Sequence, residues 1–240
     1  MTTLLGIWAH PDDEAYCSHG LMAQVRADRG RVVVVTATRG ENGTDDPAAW
    51  PPERLAALRA RELRESLAQA GVSEHRWLGL RDGELDGLEV EAGAAALVPI
   101  IEEVQPSVIV TFGPEGMTGH PDHRAISAWT TRAWRDTGAR AALWYATLTP
   151  EFHSAWGHLN DEVGLWMDGS APPSHDASEL SAEVRLSGRH LDRKHRALRA
   201  HASQTRPLEE LVGPDRYRAW WSTESFVAAP RTGADIESSA

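Results

Sequence analysis

Two short turns of this sequence hold six residues able to bind a metal ion or move a proton. His10, Asp12 and Asp13 lie in the run AHPDDE (residues 9–14), and His120, Asp122 and His123 in GHPDH (residues 119–123). Histidine nitrogen and aspartate oxygen are good zinc ligands, and a catalytic zinc keeps about three protein ligands and one position for water. Six donors exceed that need and leave some for acid–base work. The chemistry such a set can do is hydrolysis. Zinc lowers the pKa of bound water to about 7. A carboxylate beside it can take the remaining proton, and an imidazole opposite can face a developing negative charge.

Both turns follow apolar runs with the length of buried strands, Leu4–Ala9 and Ser107–Phe112. Pro11 pushes His10 into an extended conformation and ends its strand there. Further strands are expected at Val32–Thr36, Arg76–Leu80, Leu143–Leu148 and, briefly, Val184–Leu186. Helical patterns cover residues 14–28, Glu53–Ala70, 90–104 (kinked or split at Pro99), His120–Asp136 and Arg189–Ala202. His19 reads as a partly exposed helix residue. The order β-α-β-α-β-α-β predicts an α/β fold: a Rossmann-like, doubly wound, mainly parallel sheet with helices on both faces. Strands one and four are then neighbours at the topological switch point, where ligands bind. The two turns should face each other there. The loop Thr38–Pro52, rich in Gly, Asp, Asn and Pro, leaves strand two at the same edge. Residues 150–183 read as an irregular excursion. A single domain over 1–228 is expected, with a small, polar, frayed tail at 229–240.

Composition narrows the function. Among 240 residues, 41% are hydrophobic and 25% charged, as in a globular protein. A net charge of −11 argues against nucleic acid and anionic membranes as partners, since nothing neutralises phosphates. No run reaches the ~18 apolar residues of a membrane span. The first residues lack the basic region of a signal peptide, so a cytoplasmic location is expected. Cys17 is the only cysteine, which excludes a disulfide framework and a thiolate zinc site. Lys194 is the only lysine, and with so much alanine the composition is that of a GC-rich, bacterial genome. Of the ten tryptophans, some are expected to line a sugar site. The sequence is compatible with a homo-oligomer.

The two HPD motifs together resemble the PIG-L/LmbE family of zinc-dependent N-deacetylases. Further matching pieces are Thr36–Glu41 (TATRGE), Arg59-x-x-Glu62-Leu63 before Ala70-Gly71-Val72, Arg81-Asp82-Gly83, Lys194–Leu198 (KHRAL) and His201-x-Ser203-Gln204. The resemblance implies an LmbE-like fold and one Zn2+ per chain, with Fe2+ or cobalt as alternative occupants of an N/O site. It implies His10, Asp13 and His123 as metal ligands and Asp12 as general base. His120 would stabilise the tetrahedral oxyanion or protonate the leaving amine, as a cation held by a carboxylate neighbour. Asp122 would orient a neighbouring imidazole. Arg59 and Asp82 resemble the family's contacts to sugar hydroxyls. The implied reaction is removal of the acetyl group from an N-acetylglucosamine-type amino sugar, a small-molecule substrate. One departure is Thr118, two before His120, where certain thiol-pathway members carry tyrosine. Two other readings compete. One is an amidase on another amide, such as a mycothiol-type conjugate or a glycopeptide N-acyl group. The other is a non-catalytic Rossmann-like ligand-binding protein, against which the intact His10, Asp12, Asp13, His120 and His123 argue.

Overall fold

The computed structural model describes residues 1–167 and 169–231. Strands β1 (Thr3–Trp8), β2 (Arg31–Thr36), β3 (Glu74–Trp77), β4 (Val108–Phe112) and β5 (Ala142–Thr147) run parallel. Strands β6 (Leu180–Arg185) and β7 (Thr223–Ala228) close one edge, with β7 antiparallel to both β5 and β6. The order across the sheet is β3-β2-β1-β4-β5-β7-β6. β1 therefore lies between β2 and β4, and the strand order reverses at the β1/β4 junction as expected. Val32–Val35 are buried, the pattern of a central parallel strand covered on both faces by helices.

The helices are α1 (Asp13–Cys17), α2 (His19–Ala27), α3 (Pro52–Gln69), α4 (Val90–Val104), α5 (Pro121–Asp136), α6 (Pro150–Val163), α7 (Gly188–Ala200), α8 (Ala202–Val212) and α9 (Pro214–Trp220). α4 packs on α5, and α3 on α7. Four differences from the sequence reading have local causes. The single helix expected over 14–28 is broken at Ser18, whose φ of −146° is not helical. This break turns His19 inward, and the residue is buried, not partly exposed. α4 runs through Pro99 without splitting, because Pro99 and Ala95, whose carbonyl loses its partner, both face solvent. Half of the supposed excursion is α6. Thr149 accepts the Phe152 N–H at its start, Pro150 follows the cap, and Gly164 with φ of +65° ends it. Past α7, the helices α8 and α9 and the strand β7 were absent from the sequence reading. β7 extends in effect to Ala229, which is buried and donates its N–H to the Leu143 carbonyl. Residues 232–240 of the expected tail lie outside the described residues. No helix among the described residues is long and apolar enough to cross a membrane.

Candidate active site

The C-terminal edge of β1 continues through buried Ala9 and His10 into the Pro11-Asp12 turn, and α1 opens at Asp13. On the neighbouring strand, Phe112 ends β4. The Gly113–Gly119 loop then leads to His120, the N-cap of α5. Phe112 stacks flat on the His123 ring, with centroids 4.0 Å apart. The two turns meet: His10 Nδ1 lies 3.2 Å from His123 Nε2. Asp13 Oδ1 lies 3.4 Å from the same nitrogen, and Asp13 Oδ2 3.9 Å from His10 Nδ1.

The hydrogen-bond partners fix which atoms carry protons. His123 Nδ1 faces the Gly116 carbonyl at 3.0 Å, so it donates there and its Nε2 presents a lone pair. Gly116 has φ of +76°, and a Cβ on it would press on Arg124 and His123. His10 Nε2 faces the carboxylates of Asp82 at 3.0 Å and Asp122 at 3.2 Å, so it donates and leaves Nδ1 as the inward lone pair. Two imidazole lone pairs and a carboxylate thus converge with no donor among them. Three ligands held about 2.1 Å from one ion at tetrahedral angles lie about 3.4 Å apart. His10 Nδ1 and His123 Nε2, 3.2 Å apart, match that spacing, while Asp13 reaches them with different oxygens, Oδ1 at 3.4 Å from His123 and Oδ2 at 3.9 Å from His10.

Burial opposes a charge on His10, but Asp122, Asp82 and Asp13 outweigh it and raise its pKa to about 10. Burial also lifts Asp13 to about 7, against the pull of His10, and pushes His123 well below the usual imidazole value. A second group, His10 with Asp82 and Asp122, is close enough to hold an ion. There, however, the Nε2 proton already satisfies the carboxylates. His120 also brings a nitrogen near His10 and His123. Its Nδ1, however, accepts the Asp122 backbone N–H at 3.2 Å, which leaves Nε2–H as the donor of a neutral ring.

Two expected details differ. The Asp122 carboxylate lies on His10, not His120, and is further held by the Gly83 and Leu85 N–H groups. There it accepts the Nε2–H of the His10 ring. Burial, and then His10, lower the His120 pKa, which disfavours the cation that the resemblance implied.

Asp12 stands apart from the lone-pair triangle. Its backbone is strained, with φ of 107° and ψ of −29°. Two side chains hold it. Glu14 Oε2 accepts its N–H at 3.1 Å, and Arg59 Nη2 donates to Asp12 Oδ2 at 3.2 Å and to the Pro11 carbonyl at 2.6 Å. Arg59 Nη1 meanwhile reaches the Gly40 carbonyl at 2.8 Å, and a Cβ at Gly40 would collide with the guanidinium. Burial raises the Asp12 pKa, against the pull of Arg59. Asp82 is buried, with Oδ2 accepting the Asn42 N–H.

Sequence reasoning assigned Glu14 no role. It is fully buried, and beyond Asp12 it binds Ser66 Oγ at 3.2 Å and His201 Nε2 at 2.9 Å. The pair raises the His201 pKa although burial opposes it. Ser203 caps onto Glu62 through its N–H and hydroxyl, and Gln204 donates to the Gly43 carbonyl. The His201-x-Ser203-Gln204 motif therefore ties α8 to the catalytic edge. The only signal for Glu14 in the sequence was its place inside AHPDDE. Cys17, half-buried on the pocket wall, has a thiol pKa raised by burial, which is not the state of a nucleophile.

The site opens into a cavity of about 430 Å³ that takes in His10, Asp12, Asp13, Arg59, Asp82, His120 and His123. The model of the family described as "PIG-L: GlcNAc-PI de-N-acetylase" matches residues 5–134, which contain both turns. Over 98% of its length the chain is 33% identical to a 1D-myo-inositol 2-acetamido-2-deoxy-alpha-D-glucopyranoside deacetylase of Saccharomonospora viridis, covering 98% of that protein. Among solved structures it is similar to the deacetylase Dbv21 of the antimicrobial reagent A40926 pseudoaglycone. The TM-score is 0.69 at 22% identity, over 96% of this chain and 98% of that one. It is also similar to the N,N'-diacetylchitobiose deacetylase of Pyrococcus horikoshii, with a TM-score of 0.65 at 22% identity, over 96% of this chain and 84% of that one. The chain belongs to the PIG-L family of N-deacetylases.

Proposed function

We propose that this protein is a zinc-dependent hydrolase that removes the N-acetyl group from an N-acetylglucosamine-type amino sugar. The observation that carries the reading is the pair of facing imidazole nitrogens, His10 Nδ1 and His123 Nε2 at 3.2 Å, with the Asp13 carboxylate beside both. A zinc ion held by these three residues would supply a Lewis acid for the amide carbonyl and an acidified water. Fe2+ satisfies the same N/O donor set. Asp12, held off the triangle by Glu14 and Arg59, accepts the proton of the attacking water. Its raised pKa brings a carboxylate closer to the operating range of a general base. His120 Nε2–H donates to the oxyanion that forms on the acyl carbon. The proton gathered by Asp12 then passes to the leaving amine, the C–N bond breaks, and acetate and the free amino sugar depart. Asp122 and Asp82 keep the Nε2 proton on His10 and so its Nδ1 free.

The named relatives act on a 2-acetamido-2-deoxy-glucopyranoside, which supports the sugar. Asp82 retains unshared carboxylate lone pairs at the pocket and is read as a hydroxyl acceptor. Arg59 is read first as the clamp on Asp12, with a sugar contact as its second role. The test is release of primary amine from methyl N-acetylglucosaminide by the zinc-loaded protein, with and without a chelator. Amine release that stops on chelation and returns with zinc is expected. No release, or release indifferent to the chelator, would overturn the reading.

A further inference from the structure

The second apolar cluster of the protein does not close on itself. Tyr217 and Trp220 at its centre are fully buried, whereas Phe152, Leu165, Leu208 and Trp221 around them are only partly covered. These four, with Tyr16 and Trp166, line the same cavity as the His and Asp cluster. They come from α1, α6 and the segment after it, α8, and the turn into β7. None of these was in the sequence-derived site.

This wall carries three side-chain polar groups, the Tyr16 hydroxyl and the indole N–H groups of Trp166 and Trp221. The Tyr16 hydroxyl is bonded to that of Tyr217 at 2.7 Å. Trp221 Nε1 is buried and has no partner among the described residues. At the rim, Gln204 Nε2 donates to the Gly43 carbonyl and to Ser203 Oγ. A polyhydroxylated group such as an inositol ring would give up most of its water against this wall and find few partners in return. An aliphatic or aromatic group would bury its surface and complete the open cluster.

We infer that the substrate carries an apolar substituent seated against Tyr16, Phe152, Leu165, Trp166, Leu208 and Trp221. The substituent is either an N-acyl chain longer than acetyl or an apolar aglycone on the sugar. The inference rests on the amino-sugar deacetylase reading and sharpens its substrate class.

The test compares three ligands by titration calorimetry on the zinc-loaded protein, below the micelle concentration of each. They are methyl N-acetylglucosaminide, octyl N-acetylglucosaminide and the methyl glycoside of N-octanoylglucosamine. Each fully buried methylene is worth about fourfold in affinity. One octyl ligand should bind at least about tenfold tighter than the methyl N-acetyl compound, with a more negative heat-capacity change. Preference for the octyl glycoside assigns the wall to the aglycone, and preference for the octanoyl amide assigns it to the acyl chain. Trp166→Ala and Leu208→Gln should each shrink that ratio. Equal or weaker binding of both octyl ligands overturns the inference, and so does the absence of binding by both. Amine release is followed in parallel. Octyl preference without hydrolysis would leave the wall assigned and sink the deacetylase reading. Hydrolysis without octyl preference would do the reverse.

Discussion

Glu14→Gln tests how the general base is held. The substitution keeps size and changes one atom from acceptor to donor. Glu14 Oε2 accepts from the Asp12 N–H at 3.1 Å, while Oε1 serves His201 at 2.9 Å and Ser66 at 3.2 Å. A glutamine can satisfy only one side. With its oxygen toward His201, the amide NH2 faces the Asp12 N–H, donor to donor. Turned round, it faces the His201 N–H instead. Either way a charge-assisted bond in a fully buried place is lost, worth about 1.5–3 kcal/mol. The backbone of Asp12, at φ of 107°, stores strain on the order of 1–3 kcal/mol, so the lost bond is comparable to what keeps it there. If the lost restraint is felt at the carboxylate, the barrier rises by a similar amount, and kcat falls about 10- to 100-fold. Bound zinc should stay at the wild-type level, because His10, Asp13 and His123 are untouched. The assays are steady-state amine release, metal content by atomic emission, and urea denaturation. Loss of stability with unchanged kcat would refute the reasoning and leave Glu14 a purely structural acid. Loss of zinc would show that it serves Asp13 rather than Asp12.

Asp12→Asn should retain zinc and lower kcat by about 10²–10⁴-fold, the scale of general base catalysis, and near-normal turnover would reduce Asp12 to a turn residue. His120→Ala should cost about 3–4 kcal/mol in the transition state with zinc retained, whereas zinc loss would make His120 a ligand. Asp122→Asn removes the carboxylate that holds the His10 ring, and zinc affinity measured by competition should fall about 10- to 100-fold. His19 is buried with neither ring nitrogen partnered among the described residues, and burial lowers its pKa to about 3. The unfolded chain takes up a proton near pH 6.5 and the folded one does not. The stability His19 permits is therefore complete above pH 6.5 and is lost as pH falls toward 3. His19→Leu should remove up to about 1.4 kcal/mol per pH unit from the acid-side slope of urea stability, and parallel slopes would contradict this.

Much of the catalytic edge was legible because it is local. Each HPD turn follows an apolar strand, and β-α alternation dictates that strands one and four meet at the switch point. That alone brings His10 to His123. What could not be read was the direction of individual bonds. Asp122 is two residues from His120, yet the first turn of α5 points its carboxylate to His10 across 112 positions of sequence. Arg59 resembled a sugar contact, and only the fold brings it under Asp12. The C-terminal third was the least legible. α6, α8 and α9 owe their places to packing around Tyr217 and Trp220, a contact between distant segments that no local periodicity announces, and β7 owes its place to pairing with β5 and β6.

Metal stoichiometry tests the central claim most directly. Purified wild-type protein, His10→Ala, Asp13→Ala, His123→Ala and His120→Ala are each saturated with zinc, desalted and analysed by atomic emission. The geometry predicts one zinc per chain in the wild type and in His120→Ala, and strong depletion in the other three. Equal zinc in the wild type and in His123→Ala would contradict the ligand triangle, and with it the mechanism built on it.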